Sequence, residues 1–245
     1  MNELFKWPSY LDDFAETALR QGFRDEVLLD TEDGPIVVWE RKGEGPLVYA
    51  SAGIHGDEPA GPLALLEMMR TGSFSSKFHW LICPALNPEG LAMGRRENRA
   101  GMDLNRDYLK KVTLEVDAHT RWFERNRLPD VFVSLHEDWE THGFYFYEIN
   151  LNGDRPQRAA EILKAVSDCF PPEAGPEIDG HVVRAPGWIY HGAEADLPNE
   201  WPEAIYLAKG GCPLSFTFET PSQADLNQRV AAHVSAFQSL LCLIG

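Results

Sequence analysis

The sequence predicts one α/β domain over residues 1–245, with a mixed, mainly parallel central sheet and helices on both faces. Short apolar segments alternate with segments of helical periodicity, which is typical of a parallel sheet that is covered on both sides. The chain has 245 residues, of which 44% are hydrophobic. That length suffices for one substantial core but is short for two domains.

The first elements are a helix, a hairpin, a buried strand and a second helix. Apolar residues have helical spacing over 11–22, and an Asp-Gly-Pro turn predicts a hairpin over 27–39. Residues 47–52 form a continuous apolar run, which suits a strand buried on both faces. Pro59 then stands where the first turn of a helix tolerates proline.

The remaining elements continue the alternation of strands and helices. Strands are predicted at 78–83, 131–135, 144–149 and 214–218, and helices at 115–127, 158–170 and 224–243. Residues 171–203 are rich in proline, glycine and tryptophan and lack a clear period, so we expect a loop region that covers a site. In sheets of this class, ligands bind beyond the carboxyl ends of the strands.

Composition excludes several classes of function. The formal net charge of −16 disfavours binding to nucleic acids or to anionic membranes. The four cysteines lie far apart, so they predict neither a disulfide framework nor a cysteine zinc site. The first residues lack an apolar run of signal-peptide length, and we expect a cytoplasmic protein. The oligomeric state is not indicated.

Two segments that follow apolar strands predict a metal site. His55 and Glu58 come just after the strand at 47–52, and His136 closes the strand at 131–135. Imidazole nitrogens and a carboxylate oxygen are ligands that zinc accepts in tetrahedral geometry, with one position left for water. We therefore predict one Zn²⁺ ion held by these three side chains.

The other histidines have no ligand-like setting in the sequence. His119 lies in a charged helical segment and is predicted to be solvated. For His142 and His191 the sequence leaves open a place in the cleft. The remaining ones are His79, His181 and His233.

An arginine-rich segment and a late carboxylate complete the candidate site. Four arginines fall within residues 95–106, which suggests a local positive region for an anionic group in this acidic protein. Glu219 ends the apolar strand at 214–218. It is either a surface charge or a base that takes a proton from water.

These segments resemble motifs of the zinc carboxypeptidase superfamily, in the same order along the chain. The segments are Gly53-Ile54-His55-Gly56-Asp57-Glu58, Asn87-Pro88-Glu89-Gly90, Arg96-x-Asn98-x-x-Gly101-x-Asp103-Leu104-Asn105-Arg106, Ser134-Leu135-His136 and Phe216-Thr217-Phe218-Glu219. The resemblance covers residues 47–221 approximately and implies a zinc hydrolase that cleaves an amide bond.

The resemblance also implies a role for each matching residue. His55, Glu58 and His136 would hold the zinc ion, the ligand set that the superfamily shares with carboxypeptidase A. Arg96 would polarise the scissile carbonyl, and Glu219 would act as general base and then as general acid. Asn105 and Arg106 would bind the terminal carboxylate of the substrate.

The chain departs from the superfamily at the tyrosine that usually covers the substrate. Tyr190 and Tyr206 both precede Glu219, and neither aligns cleanly. We favour Tyr190 because it lies in the irregular region.

Three functions remain open from the sequence. The compact chain resembles the murein-peptide amidase branch, and the Ser-Leu-His segment favours this peptidase side. The succinylglutamate desuccinylase and aspartoacylase branch shares the His-x-x-Glu and Asn-Arg elements, so a deacylase of N-acyl amino acids is the alternative. A zinc-binding protein without turnover is the third interpretation. The expected substrate is a small peptide or an N-acyl amino acid.

Overall fold

The computed structural model describes residues 5–7 and 9–245. The strands of its main sheet are β1 (Arg24–Thr31), β2 (Gly34–Arg41), β3 (Leu47–Ala52), β4 (His79–Cys83), β5 (Val131–Asp138), β6 (Tyr145–Asn150), β9 (Trp188–Tyr190) and β10 (Leu214–Pro221). The short strands β7 (Glu177–Ile178) and β8 (His181–Val182) pair with each other. The helices are α1 (Ser9–Arg20), α2 (Ala60–Arg70), α3 (Pro88–Met93), α4 (Leu114–Arg125), α5 (Pro156–Val166), α6 (Glu203–Gly210) and α7 (Leu226–Ile244).

The eight strands lie in the order β1-β2-β4-β3-β5-β10-β6-β9. The pairs β4–β3, β3–β5, β5–β10 and β6–β9 are parallel. The pairs β1–β2, β2–β4 and β10–β6 are antiparallel. The predicted mixed, mainly parallel sheet is confirmed.

Side chains of the central strands alternate between two apolar layers. On β3, Val48 and Ala50 pack in one core with residues of α2 and α7, whereas Tyr49 packs in the other with residues of α4 and α6. All six residues of β3 are buried. Helices therefore cover both faces, as the continuous apolar run of this strand predicts.

The register of the central strands brings their carboxyl ends to one edge of the sheet. Ala52 at the end of β3 pairs with Leu135 of β5. His136 of β5 pairs in turn with Glu219 of β10. The residues that follow β3 and those that end β5 and β10 are consequently neighbours.

One polar residue lies in a different environment from the one predicted. His119 is fully buried rather than solvated, and its two ring nitrogens lie 2.9 and 2.8 Å from the hydroxyl oxygens of Tyr49 and Tyr108. Burial lowers its pKa to about 3. The two tyrosines belong to other segments of the chain, so the charge of α4 alone gave no indication of them.

Regular structure is also found where none was predicted. The helices α3 and α6 are short, and β7, β8 and β9 lie within the segment 171–203 that lacks periodicity. Within the part of the chain that the structure describes, no helix is both long and apolar enough to cross a membrane.

Candidate active site

His55 and Glu58, which follow β3, converge with His136, which lies near the carboxyl end of β5. The Nδ1 atom of His55 lies 2.6 Å from Glu58 Oε1 and 3.3 Å from His136 Nδ1, and His136 Nδ1 lies 3.0 Å from Glu58 Oε2. All three side chains are buried. Their possible ligand atoms lie within 4.8 Å of one another, so the three can share one ion. Two imidazole nitrogens and a carboxylate fit zinc by their chemistry.

The charge state of Glu58 suits a cation. Burial alone would raise the pKa of this carboxyl, but the neighbouring imidazoles of His55 and His136 hold it below its ordinary value. The carboxyl is therefore ionised, as a metal ligand must be.

Asp103 orients one of the three side chains. The Nε2 atom of His55 lies 3.3 Å from Asp103 Oδ1, which leaves Nδ1 of the ring directed at Glu58. A carboxylate on the far nitrogen of a metal-binding histidine fixes the ring and its tautomer. Burial would raise the pKa of Asp103, yet its hydrogen bond with His55 and the charge of Arg96 keep it below the usual range. The sequence contained Asp103 in a matching segment but gave it no role.

Asn87 forms hydrogen bonds to two loops of the site, the one that carries His55 and the one that carries Arg96. Its side-chain amide donates to the carbonyl oxygens of Ile54 and Arg96, both at 3.2 Å, and accepts from the Gly90 amide at 2.8 Å. At Gly56 a Cβ atom would lie only 1.9 Å from the carbonyl carbon of Gly90. The loop of His55 therefore needs glycine at this close approach to α3.

Arg96 lies beside the three candidate ligands. Its Nε donates to Asp103 Oδ2 at 3.0 Å, and its Nη1 lies 3.6 Å from Glu58 Oε1. Burial lowers the pKa of this guanidinium, but the carboxylates of Asp103 and Glu58 raise it overall. The side chain is 37% exposed, so a fixed positive charge faces the pocket next to the ion position.

Asn105 and Arg106 line the same pocket. The Asn105 side-chain carbonyl accepts from the backbone amide of Glu203 at 2.9 Å, which fixes the amide group against the start of α6. Arg106 Nη1 donates to the backbone carbonyl oxygen of Asn105 at 2.9 Å. Both residues are thus held where they can meet an anionic group of a ligand.

Glu219 lies in the middle of the sheet face that forms the pocket floor. It pairs in register with His136 on β5 and with Tyr145 on β6. The surrounding protein and the negative charges of Glu58 and Asp138 raise the pKa of its carboxyl well above the ordinary value. A raised pKa makes this carboxylate a stronger base than an ordinary glutamate, which suits a group that accepts a proton from water.

The pocket extends from the three candidate ligands along the floor of the sheet. Its volume is about 300 Å³, which is at the small end for ligand sites. Tyr147 of β6 and Trp139, which follows β5, are among the residues that line it. Its lining also includes Ser134, Ile149, Ala204, Ile205, Ser215 and Thr217.

Tyr190 is not among the pocket residues, so the structure does not support the substrate-binding role predicted for it. It lies on the edge strand β9, and its hydroxyl donates to the Asn150 carbonyl at 2.8 Å. The tyrosines that do line the pocket are Tyr145 and Tyr147 of β6. The irregular composition around Tyr190 obscured the fact that its own short segment is a strand.

Glu203 is a buried carboxyl in the pocket wall that the sequence did not single out. Its Oε2 accepts from Ser51 Oγ at 2.8 Å, and its Oε1 has no hydrogen-bond partner among the described residues. Burial raises its pKa from 4.5 to about 8, an effect that the hydrogen bonds of Ser51 and Tyr49 offset only in part. The group therefore holds a proton at neutral pH.

This shift predicts a pH-dependent gain in stability for Glu203→Gln. The unfolded chain loses the proton near pH 4.5 and the folded one near pH 8, so the wild type loses stability as the pH rises through this window. The neutral glutamine avoids that loss. We expect the difference in the free energy of unfolding, Glu203→Gln minus wild type, to increase as the pH rises through this window. The increase should be up to about 1.4 kcal/mol per pH unit.

Urea denaturation at several pH values across this window measures the effect. Glu67→Gln, at an exposed position of α2, is the matched control. A constant difference between Glu203→Gln and the wild type at all pH values would contradict the prediction.

Two sequence comparisons match parts of this chain. Residues 44–142 match the family model described as the succinylglutamate desuccinylase/aspartoacylase catalytic domain. A segment of 71 residues is 35% identical to murein peptide amidase A of Escherichia coli, and it covers 29% of this chain and 29% of that protein.

Solved structures extend the comparison to nearly the whole chain. A Shewanella denitrificans protein provisionally named a metallopeptidase has a TM-score of 0.85 at 23% identity, over 96% of this chain and 89% of that one. A metallo-carboxypeptidase from Burkholderia cenocepacia has a TM-score of 0.70 at 16% identity, over 97% and 69% of the two chains. The chain therefore shares the fold of these two proteins.

The resemblance to the zinc carboxypeptidase superfamily inferred from the sequence is thereby confirmed. The matches together support a hydrolase of carboxypeptidase-like, amidase or deacylase type. Within the described residues, His55, Glu58 and His136 form a group that could hold a metal ion.

Proposed function

We propose that the protein is a zinc-dependent hydrolase that cleaves an amide bond next to a terminal residue bearing a free carboxylate. The observation that carries the proposal is the convergence of His55, Glu58 and His136 beside Glu219 in one pocket. Arg96 and Arg106 supply positive charge to that pocket, within a chain whose net charge is −16.

The proposed chemistry divides among the residues by their charge and position. A zinc ion held by the three ligands supplies a Lewis acid that polarises a carbonyl oxygen and acidifies water. Glu219 accepts the proton of the attacking water and then donates it to the departing nitrogen. Arg96 donates hydrogen bonds to the oxygen that becomes negative when the carbonyl is attacked.

The carboxylate of the substrate is assigned to Arg106 and Asn105. The guanidinium of Arg106 can bind a carboxylate by two parallel hydrogen bonds. The backbone amide of Glu203 donates to the side chain of Asn105, so this side chain is already in position before the substrate binds. Tyr147 and Ile149, which also line the pocket, would contact the side chain of the terminal residue in this arrangement.

A deacylase of N-acyl amino acids is the second candidate. The family model that matches residues 44–142 favours it, because that model describes desuccinylase and aspartoacylase catalytic domains. The same ligands, general base and arginines would serve that reaction. A zinc-binding protein without turnover is the third candidate, against which the presence of both Glu219 and Arg96 argues.

A substrate panel combined with metal analysis tests the proposal. The panel contains short peptides with a free C-terminal carboxylate, the same peptides as C-terminal amides, a murein tripeptide and N-acyl amino acids. We expect zinc-loaded protein to hydrolyse free-acid substrates in preference to their amides, because the amides lack the charge that Arg106 binds. Chelation should abolish hydrolysis, and added zinc should restore it.

The other outcomes separate the candidates. Hydrolysis confined to N-acyl amino acids would establish the deacylase. A zinc-loaded protein that is inactive on the whole panel would support the binding protein. Equal rates on free acids and amides would contradict the role assigned to Arg106 and Asn105.

A further inference from the structure

A second group of metal-binding side chains lies at the mouth of the pocket. It consists of His181 on β8, His191 just after β9 and Asp196 in the following loop, and we call it the rim cluster. Their possible ligand atoms lie within 4.8 Å of one another. His191 and Asp196 also line the pocket. No role in the proposed hydrolysis falls to these three residues.

The distances in the rim cluster match those around a bound ion. The Nε2 atoms of His181 and His191 lie 3.5 and 3.3 Å from the two carboxylate oxygens of Asp196. Ligand atoms at about 2.0–2.1 Å from a tetrahedral zinc ion are separated by about 3.4 Å. By contrast, His79 forms a simple pair with Glu40 at 2.8 Å.

The histidine rings of the rim cluster are oriented by their neighbours. The Nδ1 atom of His191 donates to the carbonyl oxygen of Gly192, and its Nε2 atom faces Asp196 Oδ1 at 3.3 Å. A backbone carbonyl on the far nitrogen is a common means of orienting a metal-binding histidine. The Tyr147 ring lies edge-on to both imidazoles, with centroid distances of 5.3 Å to His181 and 6.0 Å to His191.

The cluster is also accessible to an ion from solvent. The side chains of His181 and His191 are 22% and 13% exposed, and that of Asp196 is 62% exposed. The two imidazoles are thus largely buried, and an ion from solvent would reach them past the exposed carboxylate. Such a donor set suits zinc or a similar divalent transition metal better than magnesium or calcium, which prefer oxygen ligands.

We infer that the rim cluster is a second binding site for a divalent transition-metal ion such as Zn²⁺, separate from the site of His55, Glu58 and His136. An ion there joins β8 to the loop after β9, which fixes the segment 177–196 at the mouth of the pocket. This inference does not depend on the proposed hydrolysis, because the two sites share no residue.

Zinc stoichiometry by equilibrium dialysis of metal-free protein tests the inference. We expect two zinc ions per chain for the wild type and one for the double variant His181→Asn/His191→Asn. The double variant His55→Asn/His136→Asn should also bind one, at the rim. His79→Asn is the matched control and should bind two, since it removes a half-buried histidine with a single carboxylate partner.

A more conservative variant guards against an effect of misfolding. Asp196→Asn changes an exposed side chain. We expect it to lower the affinity for the second zinc ion at least about tenfold, because loss of even a partner of a ligand costs about 10–100-fold in metal affinity. Hydrogen exchange gives an independent readout. The second equivalent of zinc should slow exchange in residues 177–196 of the wild type and leave exchange unchanged in His181→Asn/His191→Asn.

Two results would overturn the inference. One is a wild type that binds a single zinc ion which His181→Asn/His191→Asn retains, in which case the rim cluster is only an ion pair of histidine and aspartate. The other is a second zinc ion that both Asp196→Asn and His181→Asn/His191→Asn retain with unchanged affinity. Loss of zinc from the His55, Glu58 and His136 site alone would instead count against the proposed hydrolase.

Discussion

Replacing Glu219 with glutamine is expected to lower kcat by about 10²- to 10⁴-fold, the usual contribution of general acid–base catalysis. Glutamine has nearly the same shape but cannot accept a proton from water at neutral pH. The partners of Glu219 in the sheet, His136 and Tyr145, are held by backbone pairing and should keep their positions. Zinc content and KM should therefore change little.

The measurement is steady-state kinetics on the preferred substrate of the panel, together with the zinc content of each preparation. Glu67→Gln provides the control, because it makes the same chemical change at an exposed position of α2. A Glu219→Gln variant that retains its zinc and full kcat would show that another group moves the proton. The superfamily assignment would survive that result, but the mechanism would not.

Replacing His136 with alanine is expected to abolish both zinc binding at the pocket and hydrolysis. Two donors, His55 and Glu58, would remain of the three that converge there. Because loss of an outer partner already costs about 10–100-fold in metal affinity, loss of a direct ligand should cost more. The variant would also leave Glu58 buried with only one imidazole beside it.

Zinc binding and hydrolysis are measured on metal-free protein that is titrated with zinc, with His79→Asn as the control histidine substitution. Excess zinc should restore part of the activity if the remaining two ligands still hold the ion weakly. A His136→Ala variant that binds zinc at the pocket as tightly as the wild type would remove His136 from the ligand set. The titration must distinguish the pocket from the rim cluster, so the comparison is best made in the His181→Asn/His191→Asn background.

Much of the sheet follows directly from the sequence. The strand at Leu47–Ala52 has the bounds that its continuous apolar run predicts, since a strand buried on both faces tolerates few polar residues. The convergence of His55 and His136 could be anticipated as well, because His55 follows β3 and His136 lies near the end of the adjacent parallel strand β5.

The residues that the sequence did not reveal depend on contacts between distant segments. Asp103 acquires its role only because the loop that carries it folds against His55, 48 positions earlier in the chain. Glu203 begins a short helix, and its burial depends on Ser51, 152 positions away. Hydrophobic periodicity reports local structure and cannot show such pairs.

Aromatic and histidine positions in the irregular region were the hardest to interpret. Tyr190 was favoured for its sequence neighbourhood, but its strand turns the hydroxyl toward Asn150 and away from the pocket. His181 and His191 are ten positions apart and acquire a common partner only through the loop that carries Asp196. No spacing rule for metal ligands covers that arrangement.

The pairing of Glu219 with His136 on adjacent parallel strands has a consequence for how the protein can change. Both side chains are anchored in backbone ladders, and a slip of one residue would turn Glu219 to the opposite face of the sheet. By contrast, Ala204 and Ile205 in the pocket wall belong to a short helix that follows an irregular segment. Substitutions, insertions or deletions there can alter which substrates enter while the reacting groups keep their spacing, so libraries for new substrate preference belong in the 177–205 segment.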